Sequence, residues 1–341
     1  MFTNGSSTRL VFGLAVFGLG LVVAGVQLYQ RHRADIATKP SEDEIDIKAH
    51  TNKEEATSEE DHHDDLKANK EIQSTASERR SPFLFFLLVF ALTIPFWLIS
   101  SLLGNKLPIA IKLPISVFAF ANPLIAAAIL LYKRFGLNGV KELLKKTFDY
   151  KKIEKRVWYI PTLFLMPLIY YLTYLIMRLT GSPFPDPIKV TILMAPAYFI
   201  LFFIGAIGEE LGWSGYAIDP MQNRLGALKA SIILGLIWQI WHIIGDIQAG
   251  NSVNMILWHG FYSIALRVLI VWIYNNTQKS VFAAILIHTM DNVSWSLFPN
   301  SGSTINWAYA AVLTCLVAIT VTIGWGSKTL ANYRFTRKSQ M

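Results

Sequence analysis

Residues 190–216 read VTILMAPAYFILFFIGAIGEELGWSGY. No charge occurs from Val190 to Gly208, and then two carboxylates, Glu209 and Glu210, stand side by side before the apolar residues resume. An uncharged run of this length fits a membrane crossing, which takes about 20 mostly apolar residues. The rest of the chain repeats the pattern. Hydrophobic residues make up 53% of the 341 and charged residues only 16%, against about 25% charged in a soluble domain. Crossings are expected at 82–104, 112–132, 157–179, 187–208, 227–247, 254–274, 279–298 and 305–326. The fold class that follows is an all-α polytopic membrane protein, an integral, multi-pass bundle of eight helices spanning 81–328, with a basic cytoplasmic tail at 329–341.

The N-terminal part is different material. Residues 10–28 are apolar and flanked by Arg9, Arg31 and Arg33, and no small-x-small cleavage site follows. An uncleaved anchor helix is therefore expected within 1–30. Residues 31–80 hold 9 Lys/Arg and 14 Asp/Glu, a net charge of −5. So little apolar surface cannot offset chain entropy, and a disordered acidic linker is expected. The cluster His62-His63-Asp64-Asp65 within it reads as a solvated charge run rather than a metal site.

The formal net charge of +8 does not point to nucleic acid. Residues 133–156 alone hold 9 Lys/Arg and 3 Asp/Glu, which marks them as cytoplasmic by the positive-inside rule. Strict alternation from there puts 180–189 outside and the basic tail inside. The single cysteine, Cys315, can form no internal disulfide.

Ionisable groups at membrane depth are costly and stand out as functional candidates. They fall in three patches. Glu209 and Glu210 close one span, which is expected to run on to about Tyr216 so that the acids reach the depth of His242; neighbours on a helix point about 100° apart, so one can act on a ligand while the other holds local structure. Trp238 and His242, four apart, share a face of the next span. His288 and Asn292, also four apart, bring an imidazole and an amide that can both donate to a developing oxyanion. A base, a second titratable group and a donor pair are nearly the full set for water-mediated amide hydrolysis. Among the other polar residues, Asp246 is expected in the loop after its helix, His259 and Arg267 as structural or cavity-lining residues, and Asp291 facing away from Asn292.

The order of a Glu-Glu motif, an aromatic-x-x-x-His motif and a His-x-x-x-Asn motif resembles the CAAX-protease and bacteriocin-processing (Abi) family of intramembrane peptidases over residues 82–326. The phrase Glu-Glu-Leu-Gly-Trp-Ser-Gly-Tyr (209–216) is the part most like it. The resemblance implies a bundle of about eight membrane helices around a conical cavity. In it Glu209 activates water with Glu210 as its partner, His242 serves the second motif, and His288 and Asn292 stabilise the oxyanion. The substrate implied is a membrane-associated protein or peptide, such as a prenylated C-terminus or a leader peptide, met in the bilayer of a bacterial cell or, in a eukaryote, of the endoplasmic reticulum. Family members often show Glu-Glu-x-x-x-Arg, and the Arg position here is Ser214. That departure is expected to leave the carboxylates less constrained, with Arg224 the candidate to compensate.

A Glu and two His can bind zinc, and the ligands would be Glu209, His242 and His288. No His-Glu-x-x-His spacing occurs, and the reading preferred is one that needs no cofactor. Two other functions fit the same residues: a non-catalytic adaptor or immunity protein of this family, and a proton-coupled transporter, although no internal repeat supports the latter.

Overall fold

The structure, a computed structural model, describes residues 80–103, 115–184 and 192–331. The expected anchor helix, acidic linker and His62-His63 cluster lie outside the described residues. Those described are all helical or in turns, with no strand among them. We number the helices α1 (Pro82–Leu103), α2 (Asn122–Lys145), α3 (Tyr159–Leu179), α4 (Ala195–Gly212), α5 (Ile218–Leu225), α6 (Ala227–Gln248), α7 (Val253–Asn276), α8 (Val281–Leu297) and α9 (Trp307–Trp325).

Seven stretches are long and apolar enough to cross a membrane, α4 and α5 together forming one of them at Ile192–Leu225. The chain is an integral, multi-pass membrane protein. The eighth expected crossing, α8, has 17 residues, about 25 Å of helix, and it packs between α3, α4 and α7. A core helix shielded by its neighbours need not match the full thickness of the bilayer.

Two boundaries differ from expectation. Helix α2 does not stop near 132 but runs into the basic segment to Lys145, with a break at Gly136, whose φ is 60°. Such a φ suits glycine and strains other residues. The crossing expected at 187–208 continues past the carboxylates: α4 passes through one π-helical stretch, Trp213–Ala217, into α5. Wide turns of this kind gather at functional sites. Here the carbonyl of Gly215 accepts from Lys146 Nζ at 3.0 Å and from Arg80 Nη1 at 3.2 Å.

Close helix approach positions the acids. A methyl group on Gly212 would lie 2.5 Å from Pro123 Cβ, and one on Gly208 would lie 2.7 Å from the Phe120 carbonyl. These small residues, four apart, let α4 lie against the start of α2, as small-x-x-x-small pairs do in membranes. Gly235 plays the same part between α6 and α7, where an added Cβ would meet Ile264 Cα at 2.9 Å.

The ends of the bundle differ in charge. The turns at 146–156, 226 and 277–280 and the segment after α9 meet at one end: Ala227 N–H donates to the Lys328 carbonyl and Ser280 Oγ to Asp149. Lys151, Lys155, Lys229, Lys279 and Lys328 all lie at this end. The described turns at the other end, 180–184, 249–252 and 298–306, contain no Lys or Arg. The positive-inside rule assigns the basic end to the cytoplasm.

Candidate active site

The carboxylates come from α4, an imidazole and an indole from α6, a guanidinium from α7 and a second imidazole from α8. Glu209 and His242 meet at one depth. Glu209 lies 16 residues before Leu225 and His242 lies 15 after Ala227, so both stand about 22–24 Å along their helices from the cytoplasmic turn. A span ending at 208 would leave Glu209 near the cytoplasmic end, out of reach of His242; the extension to about Tyr216 expected from the sequence agrees with the structure, where the helix runs on to Leu225.

The two carboxylates diverge and are held differently. Glu210 is fully buried. Its oxygens accept from Arg267 Nη1 at 2.9 and 3.0 Å, from His288 Nδ1 at 2.9 Å and from the Ser214 hydroxyl. Every lone-pair direction of this carboxylate is occupied, which a buried charge requires. Glu209 accepts one hydrogen bond, from the Trp238 indole at 2.8 Å, and keeps free lone pairs. The missing family Arg is thus no loss of constraint. Ser214 sits one turn after Glu210 and donates to it, while Arg267 brings the guanidinium from another helix. Arg224 does not compensate: it is exposed on α5, about 20 Å of helix away from Glu210. Of the two roles expected for Arg267, the structural one fits: it is completely buried as the partner of Glu210.

Trp238 is the hub of the cluster. Its ring lies 4.3 Å from the Arg267 guanidinium, a cation–π contact. The His242 and His288 rings meet it edge-on at 5.1 and 5.4 Å. Gly235, one turn earlier, is what lets the Arg267 backbone approach this face, with Arg267 Cβ 3.2 Å from its notional methyl. His242 Nδ1 faces the Trp238 carbonyl at 2.8 Å. A carbonyl only accepts, so Nδ1 carries the hydrogen and Nε2 keeps the lone pair of the neutral ring. His288 Nδ1 likewise donates to Glu210, which leaves its Nε2 edge for a ligand. Asn292 follows one turn later on α8 and is half-buried.

The remaining polar residues lie outside this cluster. Asp246 is in the last turn of α6, not in a loop, because the helix runs to Gln248. It pairs with His259 at 3.2 Å and accepts from Asn251 at 3.1 Å. Asp291 points away from Asn292 and accepts from the Tyr262 hydroxyl, which in turn lies 3.1 Å from Tyr170. Both groups are satisfied within the bundle.

A metal, if bound, would take Glu209, His242 and His288 as its ligands, because Glu210 is consumed by Arg267.

Comparison with known proteins agrees with the motifs. Residues 191–294, which include all five candidate residues, match the family model described as type II CAAX prenyl endopeptidase Rce1-like. The chain is 29% identical over 237 residues to CAAX prenyl protease 2 of Methanococcus maripaludis, an alignment covering 65% of this chain and 86% of that protein.

Proposed function

We propose, for a chain that is Rce1-like across residues 191–294, that it is an intramembrane endopeptidase hydrolysing a peptide bond of a membrane-associated protein or peptide. The observation that carries this reading is the division of labour between adjacent carboxylates. Glu210 is saturated by Arg267, Ser214 and His288, while Glu209 retains acceptor capacity beside the free Nε2 of His242. Glu209, with His242, takes a proton from water as its oxygen attacks the peptide carbonyl; when the tetrahedral intermediate collapses, the C–N bond breaks and that proton passes to the leaving amine. The oxyanion that forms accepts from His288 Nε2–H and from the Asn292 amide. With its Nδ1–H given to Glu210, His288 has an Nε2–H to donate only as the imidazolium, the form that pairs with that carboxylate. Glu210 and Arg267 touch no reacting atom; they orient His288. No step in this scheme passes through a metal.

The substrate class comes from the relative, a CAAX prenyl protease. The test uses purified protein in liposomes and an internally quenched peptide whose prenylated cysteine is followed by three residues. Cleavage after that cysteine is expected, with kcat/KM reduced about 10²–10⁴-fold in Glu209→Gln. Equal cleavage by Glu209→Gln would refute the assignment of the base. Activity lost to a chelator and restored by zinc would refute the metal-free scheme. A cellular phenotype preserved in both Glu209→Ala and His242→Ala would instead establish an adaptor.

A further inference from the structure

At the cytoplasmic end, about 20 Å along α6 from His242, lies a cavity of about 830 Å³. That volume is within the range of small-molecule sites, about 300–1,000 Å³. Four cations line it from four separate places in the chain: Arg224 in the last turn of α5, Lys229 in the first turn of α6, Lys279 in the turn before α8, and Lys328 after α9. Lys279 is engaged with Asp219 at 3.0 Å. The other three form no ion pair among the described residues, and all three are exposed. The walls are fixed rather than adaptable. Asn275 donates to Gln222 and to the Thr329 carbonyl, both at 2.8 Å, and Ala227 and Leu228 N–H bond back to Lys328 and Ser327.

An apolar track leaves this cavity along α6. Lys229, Ile233, Leu236 and Ile240 recur at spacings of four, three and four, so they share one helix face. The three apolar residues are 39%, 45% and 51% exposed, on a helix that lies within the bilayer. Lys229 therefore stands where a phosphate would sit, at the head of a stripe running toward the membrane centre where an acyl chain would lie. A soluble anion would use the cavity and ignore the stripe; a zwitterionic lipid would use the stripe but gain less from the unpaired cations, because they repel its ammonium group.

We propose that this cavity and stripe form a binding site for one anionic glycerophospholipid, its phosphate held by Arg224, Lys229 and Lys328 and an acyl chain lying on Ile233, Leu236 and Ile240. Basic pockets at the cytoplasmic ends of membrane helices have this chemistry, their Lys and Arg side chains attracting anionic lipid headgroups. The site unites the two halves of the helical hairpin α5–α6 with the segment after α9, so occupancy braces the α6 helix that carries Trp238 and His242.

The test uses the full-length protein in a non-ionic detergent, with bound molecules counted by native mass spectrometry. It is titrated with phosphatidylglycerol, with phosphatidylcholine of the same acyl chains, and with inorganic phosphate. One phosphatidylglycerol is expected to be retained at a concentration about tenfold below that needed for phosphatidylcholine, and equimolar inorganic phosphate should not displace it. The triple variant Arg224→Gln/Lys229→Gln/Lys328→Gln should bring the two lipids to near parity. The charge-matched control Lys141→Gln/Lys151→Gln/Lys155→Gln, altered at exposed positions of the same end, should keep the preference, and Leu236→Gln should weaken both lipids. Should the triple variant not fold, Lys229→Gln alone carries the comparison through a smaller loss in the same direction. Equal loss in variant and control would reduce the effect to diffuse surface charge and overturn the site. So would displacement by inorganic phosphate, or crosslinking of Lys229 to the acidic 31–80 segment with lipid excluded. None of these results depends on peptidase activity.

Discussion

At the scale of single residues, Trp238 and Arg267 deserve the sharpest experiments. Trp238→Phe keeps an aromatic ring between Arg267 and the histidines but removes the N–H that fixes Glu209. We expect kcat to fall about 10- to 100-fold with KM little changed, since a hydrogen bond to a charged group contributes about 1.5–3 kcal/mol and the ring still packs; steady-state kinetics on the quenched peptide would check it. Arg267→Met leaves the Glu210 carboxylate buried without its cation, a loss of about 3–5 kcal/mol. Thermal unfolding in detergent should show it, and Glu210→Gln in the same chain should recover part of the loss. Glu209, Glu210, His242 and His288 stand out in the sequence because ionisable groups are conspicuous in uncharged spans, and Asn292 only by its spacing of four from His288. The partner of Glu210 was not, since the ion pair joins positions 57 residues apart and the eight-residue spacing from His259 suggested a common lining role. Charge balance held the missing signal: α7 contains one arginine at membrane depth, and two buried carboxylates needed a cation.

At the scale of elements, the decisive features are contacts too close for any side chain. Gly235→Val should push α7 away from α6, move Arg267 off the Trp238 face and cost about 1–3 kcal/mol by overpacking. Like Arg267→Met, it should also disturb tryptophan fluorescence in the folded protein, because both changes take the guanidinium off the Trp238 ring. Crossings and their order could be read from hydropathy, yet two of their ends could not. Helix α2 continues into a charged segment because those residues lie at the aqueous end, where charge is no obstacle to a helix. Helix α4 continues past Glu209 and Glu210 because both acids face inward and meet donors, something that apolar periodicity does not reveal.

For the whole molecule, the eight crossings alternate so that all the described basic turns share one end. In a Cys315→Ser background, Lys155→Cys should react with a membrane-impermeant maleimide only after the cytoplasmic face is opened, and Ser301→Cys should react in intact cells; the reverse pattern would invert the topology. The pairing of Glu210 with Arg267 also bears on how the chain is made. Synthesis at about 5–20 residues per second separates these positions by roughly 3–11 seconds, during which the acid pair has entered the membrane machinery and its cation is still unborn. A nascent chain halted before α7 would carry two carboxylates in a crossing with nothing to neutralise them, a defect that quality-control proteases can sense. The division of the site between distant helices thereby makes completion of the chain a condition for its stable residence in the bilayer.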